Sequence, residues 1–227
     1  MDHHQGLAAG TLVITPEGGK RIENIKAGDL VLSGVGNGFS RHYEVREANS
    51  KPYCGPVIRV EVQADYDNYF EKFEFRATPS HICFAYSEND TYGENSVAIF
   101  AFEFYNIKTL EIQHVIHSKL GRLTETNIDK AEEIAARIAW LQGGAMVRLF
   151  GHINDNMDDA GYRFMSTSDL KVGMLVVTAK EFYLQYAFIK SITAEHYDGL
   201  IYTLDVPETR DFAANGVLLH DSHSFLL

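Results

Sequence analysis

The sequence predicts a mostly β fold made of two similar halves, with a helical excursion between them, and three observations predict it. The first is a repeat. A twelve-residue pattern running from Ile22 to Ser33 returns from Thr167 to Thr178, and a second string, Tyr53 to Val62, returns from Tyr197 to Val206. The offsets are 145 and 144 residues. One element order used twice at a nearly constant offset points to two superposable halves, whereas a solenoid needs three or more short repeats. The second observation is texture: both halves are rich in Val, Ile, Tyr and Phe in short alternating runs broken by Gly, as in Arg59-Val60-Glu61-Val62 and Phe73-Glu74-Phe75. Such runs form strands and tight turns. The third is a change of period in the middle. From Asp129 to Leu141 the apolar positions are 131, 134, 135, 138 and 141, acidic residues cluster near the start, and Gly143-Gly144 follows as a stop. That is the spacing of a helix.

The halves therefore occupy roughly residues 6–85 and 166–222, and the segment from Tyr86 to Met165 is an insertion between them. The Asn154-Asp155-Asn156-Met157-Asp158-Asp159 run in that insertion reads as a solvated loop, because a calcium loop needs a regular ligand spacing and a closing Glu that are missing here. His114 and His117 in the same segment read as structural histidines rather than metal ligands, and no metal or other cofactor is expected. Cys54 and Cys83 offer neither zinc spacing nor a disulfide framework, which fits a reducing compartment, and Cys83 lies in an apolar run typical of a core.

With 227 residues the chain can bury a sizeable core without staples. Its 31 acidic and 20 basic residues give a formal charge of −11, which repels phosphate backbones. The insertion alone holds 12 acidic and 7 basic residues, so nucleic acid is an unsuitable partner there too. The sequence has no run of 18 apolar residues and no secretory leader, so the expectation is a soluble, cytoplasmic monomer without a membrane partner.

Four strings carry the chemistry. They are Gly6-Leu7-Ala8-Ala9-Gly10-Thr11-Leu12-Val13, the stretch Ile22 to Val31, Ala77-Thr78-Pro79-Ser80-His81, and Asn215-Gly216-Val217-Leu218-Leu219-His220-Asp221-Ser222. Together they resemble the conserved blocks of inteins and of the wider Hedgehog/intein (Hint) family. The resemblance implies a horseshoe of β-strands with pseudo-twofold symmetry, which the repeat requires independently. It also implies autocatalytic protein splicing, in which the element acts in cis on its own flanks. A first-residue thiol or hydroxyl attacks the preceding carbonyl, because that group must be both nucleophile and leaving group. The downstream nucleophile then takes the acyl group, and a terminal Asn cyclises to cut the second junction. Histidines pass protons to the departing amines, a task suited to a group titrating near neutrality.

Carried onto this chain, Thr78 and His81 match the block that grips the upstream bond, with the hydroxyl polarising the carbonyl and the imidazole within hydrogen-bond reach of the Gln5–Gly6 peptide. His220 matches the penultimate histidine, and Ser222 the downstream nucleophile. Residues 1–5 and 222–227 then become remnants of the flanks, and 6–85 with 166–221 the splicing domain. Gly6 and Ser222 are expected within about 10 Å, the range over which an acyl group can be passed.

Four positions depart from the family pattern. Gly6 fills the first-residue slot and has no side chain, so the usual opening step cannot occur. Asp221 stands where the cyclising Asn belongs, and its carboxylate is a far weaker group for ring closure than an amide nitrogen. Thr203 and Arg210 stand where the family often has an Asp and a His, so two auxiliary acid/base groups are absent. The expectation is a splicing element arrested as a precursor. Two alternatives stay open: a Hint autoprocessing domain that cleaves without ligating, and a binding module in which the β halves are only scaffold.

Overall fold

The computed structural model describes residues 5–36, 39–66, 69–86, 96–106, 111–144, 146–151, 162–180 and 183–220. The acidic loop 154–159, residues 1–4 of the upstream flank, Asp221 and the downstream flank from Ser222 lie outside the described residues. The first half contributes β1 (Leu7–Ala8), β2 (Leu12–Thr15), β3 (Gly18–Arg21), β4 (Leu30–Gly36), β5 (Phe39–Glu44), β6 (Glu47–Tyr66), β7 (Tyr69–Ala77) and β8 (Ile82–Tyr86). The insertion contributes β9 (Ser96–Asn106), β10 (Glu111–Ser118), β11 (Gly121–Glu125), α1 (Ile128–Leu141) and β12 (Met146–Gly151). The second half follows with β13 (Tyr162–Ser166), β14 (Leu175–Lys180), β15 (Tyr183–Asp205), β16 (Asp211–Ala214) and β17 (Val217–His220). The fold is mostly β, as the sequence predicts.

The repeat is reproduced bond by bond. Ile22–Asn24 and Thr167–Asp169 each form a single 3-10 turn, flanked on both sides by extended residues. Each is followed by a tight turn, in which the Asp29 N–H donates to Lys26 O and the Met174 N–H to Lys171 O, both at 3.1 Å. The third residue of that turn is Gly28 or Gly173, at φ +88° and +91°. This is the left-handed region that glycine enters without a Cβ clash. Gly28 N–H then donates to Val45 O at 2.8 Å and Gly173 N–H to Ile189 O at 2.9 Å. Further along, the Tyr53 hydroxyl donates to Pro56 O and the Tyr197 hydroxyl to Leu200 O, each at 2.7 Å.

The long strands β6 and β15 pair antiparallel from Glu47 opposite Asp205 to Val62 opposite Ile189, with one bulge near the far end. The 144-residue offset carries Cys54 onto Asp198, and these two residues are also cross-strand partners. The pseudo-twofold axis therefore passes through that pair. An antiparallel ladder is the pairing that a twofold axis maps onto itself, so one strand from each half can serve as the common spine.

The insertion is less separate than its sequence suggests. β9 and β12 pair in parallel, with α1 in the connection between them, and β13 leads back to pair with β8. The helix begins one residue earlier than the periodicity indicates, where the Asn127 side chain caps the Lys130 N–H at 3.0 Å. Its Ile128, Ala131, Ala135 and Ala139 share a core with Ile82, Phe84, Val177 and Leu218 of the halves. The small alanine face permits that close approach. A second core fills the space between the halves themselves, around Val31, Phe75, Val176, Phe212 and Leu219.

Cys83 is fully buried there, with its thiol beside Thr167 Oγ1 at 3.2 Å and pushed up to about 12 by burial. It is a core residue, not a nucleophile. His114 is buried on β10 while His117, three residues on, is exposed. Odd spacing on a strand sends them to opposite faces. No helix among the described residues is long and apolar enough to cross a membrane.

Matched turns should respond alike. Gly28→Ala and Gly173→Ala each force a Cβ into the left-handed region, and each should cost roughly 1–2 kcal/mol. Denaturant unfolding of the two variants checks this, and a large loss at one site with none at the other would break the equivalence of the halves.

Candidate functional site

The first and second halves meet at Gly6. Leu7 of β1 pairs with Ala77 of β7 on one side and with Tyr202 of β15 on the other. One residue earlier, Gly6 O accepts the Thr78 N–H at 2.9 Å. Continuing the β1–β15 register by one step sets Thr203 across from Gly6. The sequence-predicted residues Gly6, Thr78 and Thr203 thus come together, although they lie in three separate strings.

Thr78 and His81 form a turn of their own, in which the His81 N–H donates to Thr78 O at 3.0 Å. The second copy of the repeat clamps this turn. Thr167 donates to His81 O from both its N–H and its hydroxyl, each at 2.8 Å, and the Ser168 N–H donates to Pro79 O at 3.0 Å. The His81 ring is therefore held by its backbone while its side chain stays uncommitted. Thr78 and His81 are 0 % and 2 % exposed. Thr78 Oγ1, both ring nitrogens of His81 and Gln5 Oε1 are buried without a hydrogen-bond partner among the described residues. Four such atoms on three residues are unusual, since most buried polar side-chain atoms in folded proteins find a partner. Burial lowers the His81 ring to about 4, so it is neutral at pH 7.

The sequence expectation puts the Thr78 hydroxyl and the His81 ring on the Gln5–Gly6 peptide. In the structure the Thr78 backbone N–H bonds the Gly6 carbonyl, and neither side chain makes a hydrogen bond among the described residues.

The downstream block reaches the same region by another route. β16 and β17 form a hairpin closed by Asn215-Gly216 at φ +49° and +79°, with Ala214 opposite Val217. Asn-Gly with positive φ at both residues is the two-residue turn that matches strand twist. The Asn215 carboxamide accepts the Leu12 N–H and donates to Glu74 O, both at 2.7 Å. This Asn-Gly pair therefore has a structural duty that the motif reading missed, although the dipeptide is a hairpin signal in its own right. Along β17, Leu219 pairs with Cys83 of β8, so His220 follows one residue beyond, beside Ile82 and the His81 turn. His220 is 1 % exposed and is the cross-strand partner of Asp211. Ser222 lies outside the described residues, so its separation from Gly6 is not part of this geometry.

Comparison with solved structures gives the TvoVMA intein at 14 % identity and a TM-score of 0.56, covering 96 % of this chain and 98 % of that one. A bacterial intein-like domain from Clostridium thermocellum matches at 13 % identity and a TM-score of 0.52, over 96 % and 99 % of the two chains. The DnaB intein from Synechocystis sp. PCC 6803 matches at 11 % identity and 0.50, over 97 % and 100 %. The chain has the intein fold. No protein-family model and no curated protein matches the sequence.

Within this intein fold the departures acquire a geometry. A Cβ built on Gly6 would sit 3.0–3.2 Å from Cβ, Cγ1 and Cδ1 of Ile201, a fully buried residue of β15. A side chain at position 6 would therefore require Ile201 to give way by a few tenths of an ångström. Arg210 adopts φ +59°, which is unusual for a residue with a side chain. Its buried guanidinium donates to both carboxylate oxygens of Asp129 at 2.8 and 2.9 Å and to Asp205 at 3.4 Å. Asp205 is also paired with Arg46. Asp129, Asp205 and Arg46 escaped the sequence reading because they come from distant segments and match no family string. Among the described residues no group of three His, Cys, Asp or Glu is placed to hold a metal ion.

His81 should titrate far below the ordinary range. Its folded value is depressed, so the stability it contributes is complete above pH 6.5 and is lost as pH falls toward 4. His81 imidazole resonances should show a midpoint near 4, and His81→Asn should flatten the acid side of the stability curve. A His81 midpoint above 6 would contradict the burial described here.

Proposed function

We propose that this chain is a cis-acting protein-splicing element held at the precursor stage. The observation that carries the reading is a set of buried polar atoms on the turn that bonds Gly6: Thr78 Oγ1 and both His81 ring nitrogens have no hydrogen-bond partner among the described residues, and the Thr78 N–H donates to Gly6 O. A purely structural turn gains nothing from leaving them unpaired, since each costs about 1–3 kcal/mol. A scaffold for partner binding has no use for them.

In this reading residues 6–85 and 166–221 are the splicing domain, 86–165 the insertion, and 1–5 and 222–227 the flanks on which it acts. Thr78 polarises the Gln5 carbonyl, and His81, neutral at pH 7, takes the proton of the attacking group and passes it to the Gly6 nitrogen as that nitrogen leaves. His220 serves the second junction in the same way. With Gly6 lacking a nucleophile and Asp221 lacking an amide, both steps are arrested.

The route left to the chain as it stands is direct attack by Ser222. Its oxygen would bond the Gln5 carbonyl carbon, the Gln5–Gly6 C–N bond would break, and the hydroxyl proton would finish on the Gly6 amine. That step yields a branched ester, not a spliced product, until the Asp221–Ser222 bond is also cut. Restoring Asp221→Asn supplies the cut: the amide nitrogen closes on its own carbonyl, the bond to Ser222 breaks, and the amine of Ser222 takes the proton.

Intact-mass analysis tests this in the full chain carrying longer flanks. The unaltered protein should remain one species over days at neutral pH. Gly6→Cys alone should give little thiol-induced upstream cleavage because Ile201 crowds the new side chain, and Gly6→Cys with Ile201→Ala should give much more. His81→Ala should lower that cleavage by ~10²–10⁴-fold. Asp221→Asn should release the downstream flank, and His220→Ala should suppress the release. Release without joined flanks in the combined variant would favour a cleavage-only autoprocessing domain, and no cleavage in any variant would end the splicing reading.

A further inference from the structure

The insertion has a contact with the centre that its position in sequence does not announce. Asp129, in the first turn of α1, grips Arg210 with both carboxylate oxygens, at 2.8 and 2.9 Å. Arg210 occupies the position where the resemblance leads one to look for a histidine. Its side chain is 8 % exposed, whereas that of Asp129 is 66 % exposed, so the insertion supplies the reachable half of a pair whose other half is buried. The same guanidinium contacts Asp205, whose second oxygen is paired with Arg46. Four alternating charges thus run from the insertion to the edge of the first half.

The two inner members of this ionic chain matter for the site. Asp205 lies two residues beyond Thr203 on β15, on the same face of that strand, and continuing the β1–β15 register sets Thr203 across from Gly6. Arg210 immediately precedes Asp211, the cross-strand partner of His220. The left-handed backbone of Arg210 is a conformation that persists where surrounding contacts enforce it. The helix that carries Asp129 is itself anchored on this region, because Ala131, Ala135 and Ala139 share a core with Leu218, two residues before His220. The first turn of a helix also suits a carboxylate, which the helix dipole favours there.

We infer that the insertion is a working part of the splicing centre, in which Asp129 is a positioning residue that holds Arg210 between Asp205 and the His220 strand. The inference rests on the splicing reading and deepens it: removing the insertion would take from the buried Arg210 the carboxylate at 2.8 Å and leave Asp205 at 3.4 Å. The guanidinium spans two carboxylates at once, Nη2 on both oxygens of Asp129 and Nη1 on Asp205, which the single ammonium nitrogen of a lysine would not reproduce.

The experiment is the rate of downstream cleavage in the full chain carrying Asp221→Asn, with thermal melting of every variant. Asp129→Asn should slow cleavage by roughly 10- to 100-fold, the cost of a small misplacement of a reacting group, while the melting curve shows the protein folded. Asp129→Glu should recover part of that loss, a rescue that a merely structural effect of the helix surface would not show. Arg210→Gln should slow cleavage as much, and the double variant Asp129→Asn with Arg210→Gln should be no slower than Arg210→Gln alone, because the two residues act through one contact. Glu133→Gln, on the exposed side of the same helix, should leave the rate unchanged. If Asp221→Asn cleaves and Asp129→Asn cleaves equally fast, or if the losses at Asp129 and Arg210 simply multiply, the inference is overturned and the splicing reading stands. If Asp221→Asn itself never cleaves, the splicing reading fails, and the role assigned to Asp129 fails with it.

Discussion

The pairing of β6 with β15 is the constraint on which the rest of the structure depends. These two strands come from different halves and share an antiparallel ladder from Glu47 opposite Asp205 to Val62 opposite Ile189. Because the ladder is centred on Cys54 and Asp198, each half is delivered to the other in matching orientation. Everything near Gly6 follows from that delivery. β15 carries Ile201, Tyr202 and Thr203 to one side of the first residues, while β7, paired with β6, carries Ala77 and Thr78 to the other. A slip of one residue in this ladder would turn alternate side chains to the opposite face and dismantle both walls of the site at once.

The same symmetry explains how one turn can hold a histidine firmly and leave its ring uncommitted. The 3-10 turn of the first half donates from Ile22 N–H to Thr11 O, and its copy donates from Thr167 N–H to His81 O, both at 2.8 Å. A structural element of the repeat is thereby reused as a clamp on the Thr78–His81 turn. The clamp satisfies the backbone, which a buried turn must do, and commits no side-chain atom. Burial then keeps the imidazole neutral at pH 7.

Much of this was legible in the sequence, and the parts that were not have a common cause. The doubled string around Gly28 and Gly173 survives because its hydrogen-bonded turn needs those residue types wherever it occurs, and α1 was visible because alanines at helical spacing leave a periodic trace. Gly6 accepts the Thr78 N–H and lies opposite Thr203 by strand register, although the three residues come from separate strings. What stayed hidden depends on long-range partners: the Asp129–Arg210 contact spans 81 residues, and the Gly6 slot is crowded by Ile201 on a strand that no local pattern ties to the start of the chain. A motif names the residues of a turn but not which of their donors faces the neighbouring strand. The insertion looked detachable because its composition differs, yet its alanine face shares a core with β8, β14 and β17.

The central claim is that both halves converge on Gly6 and His220 through these pairings, and nuclear Overhauser contacts in the full chain test it most directly. The account predicts cross-strand contacts from Leu7 to both Tyr202 and Ala77, and from Leu219 to Cys83, in the same spectrum. Leu7 contacts to only one half, or a Leu219 remote from Cys83, would contradict it.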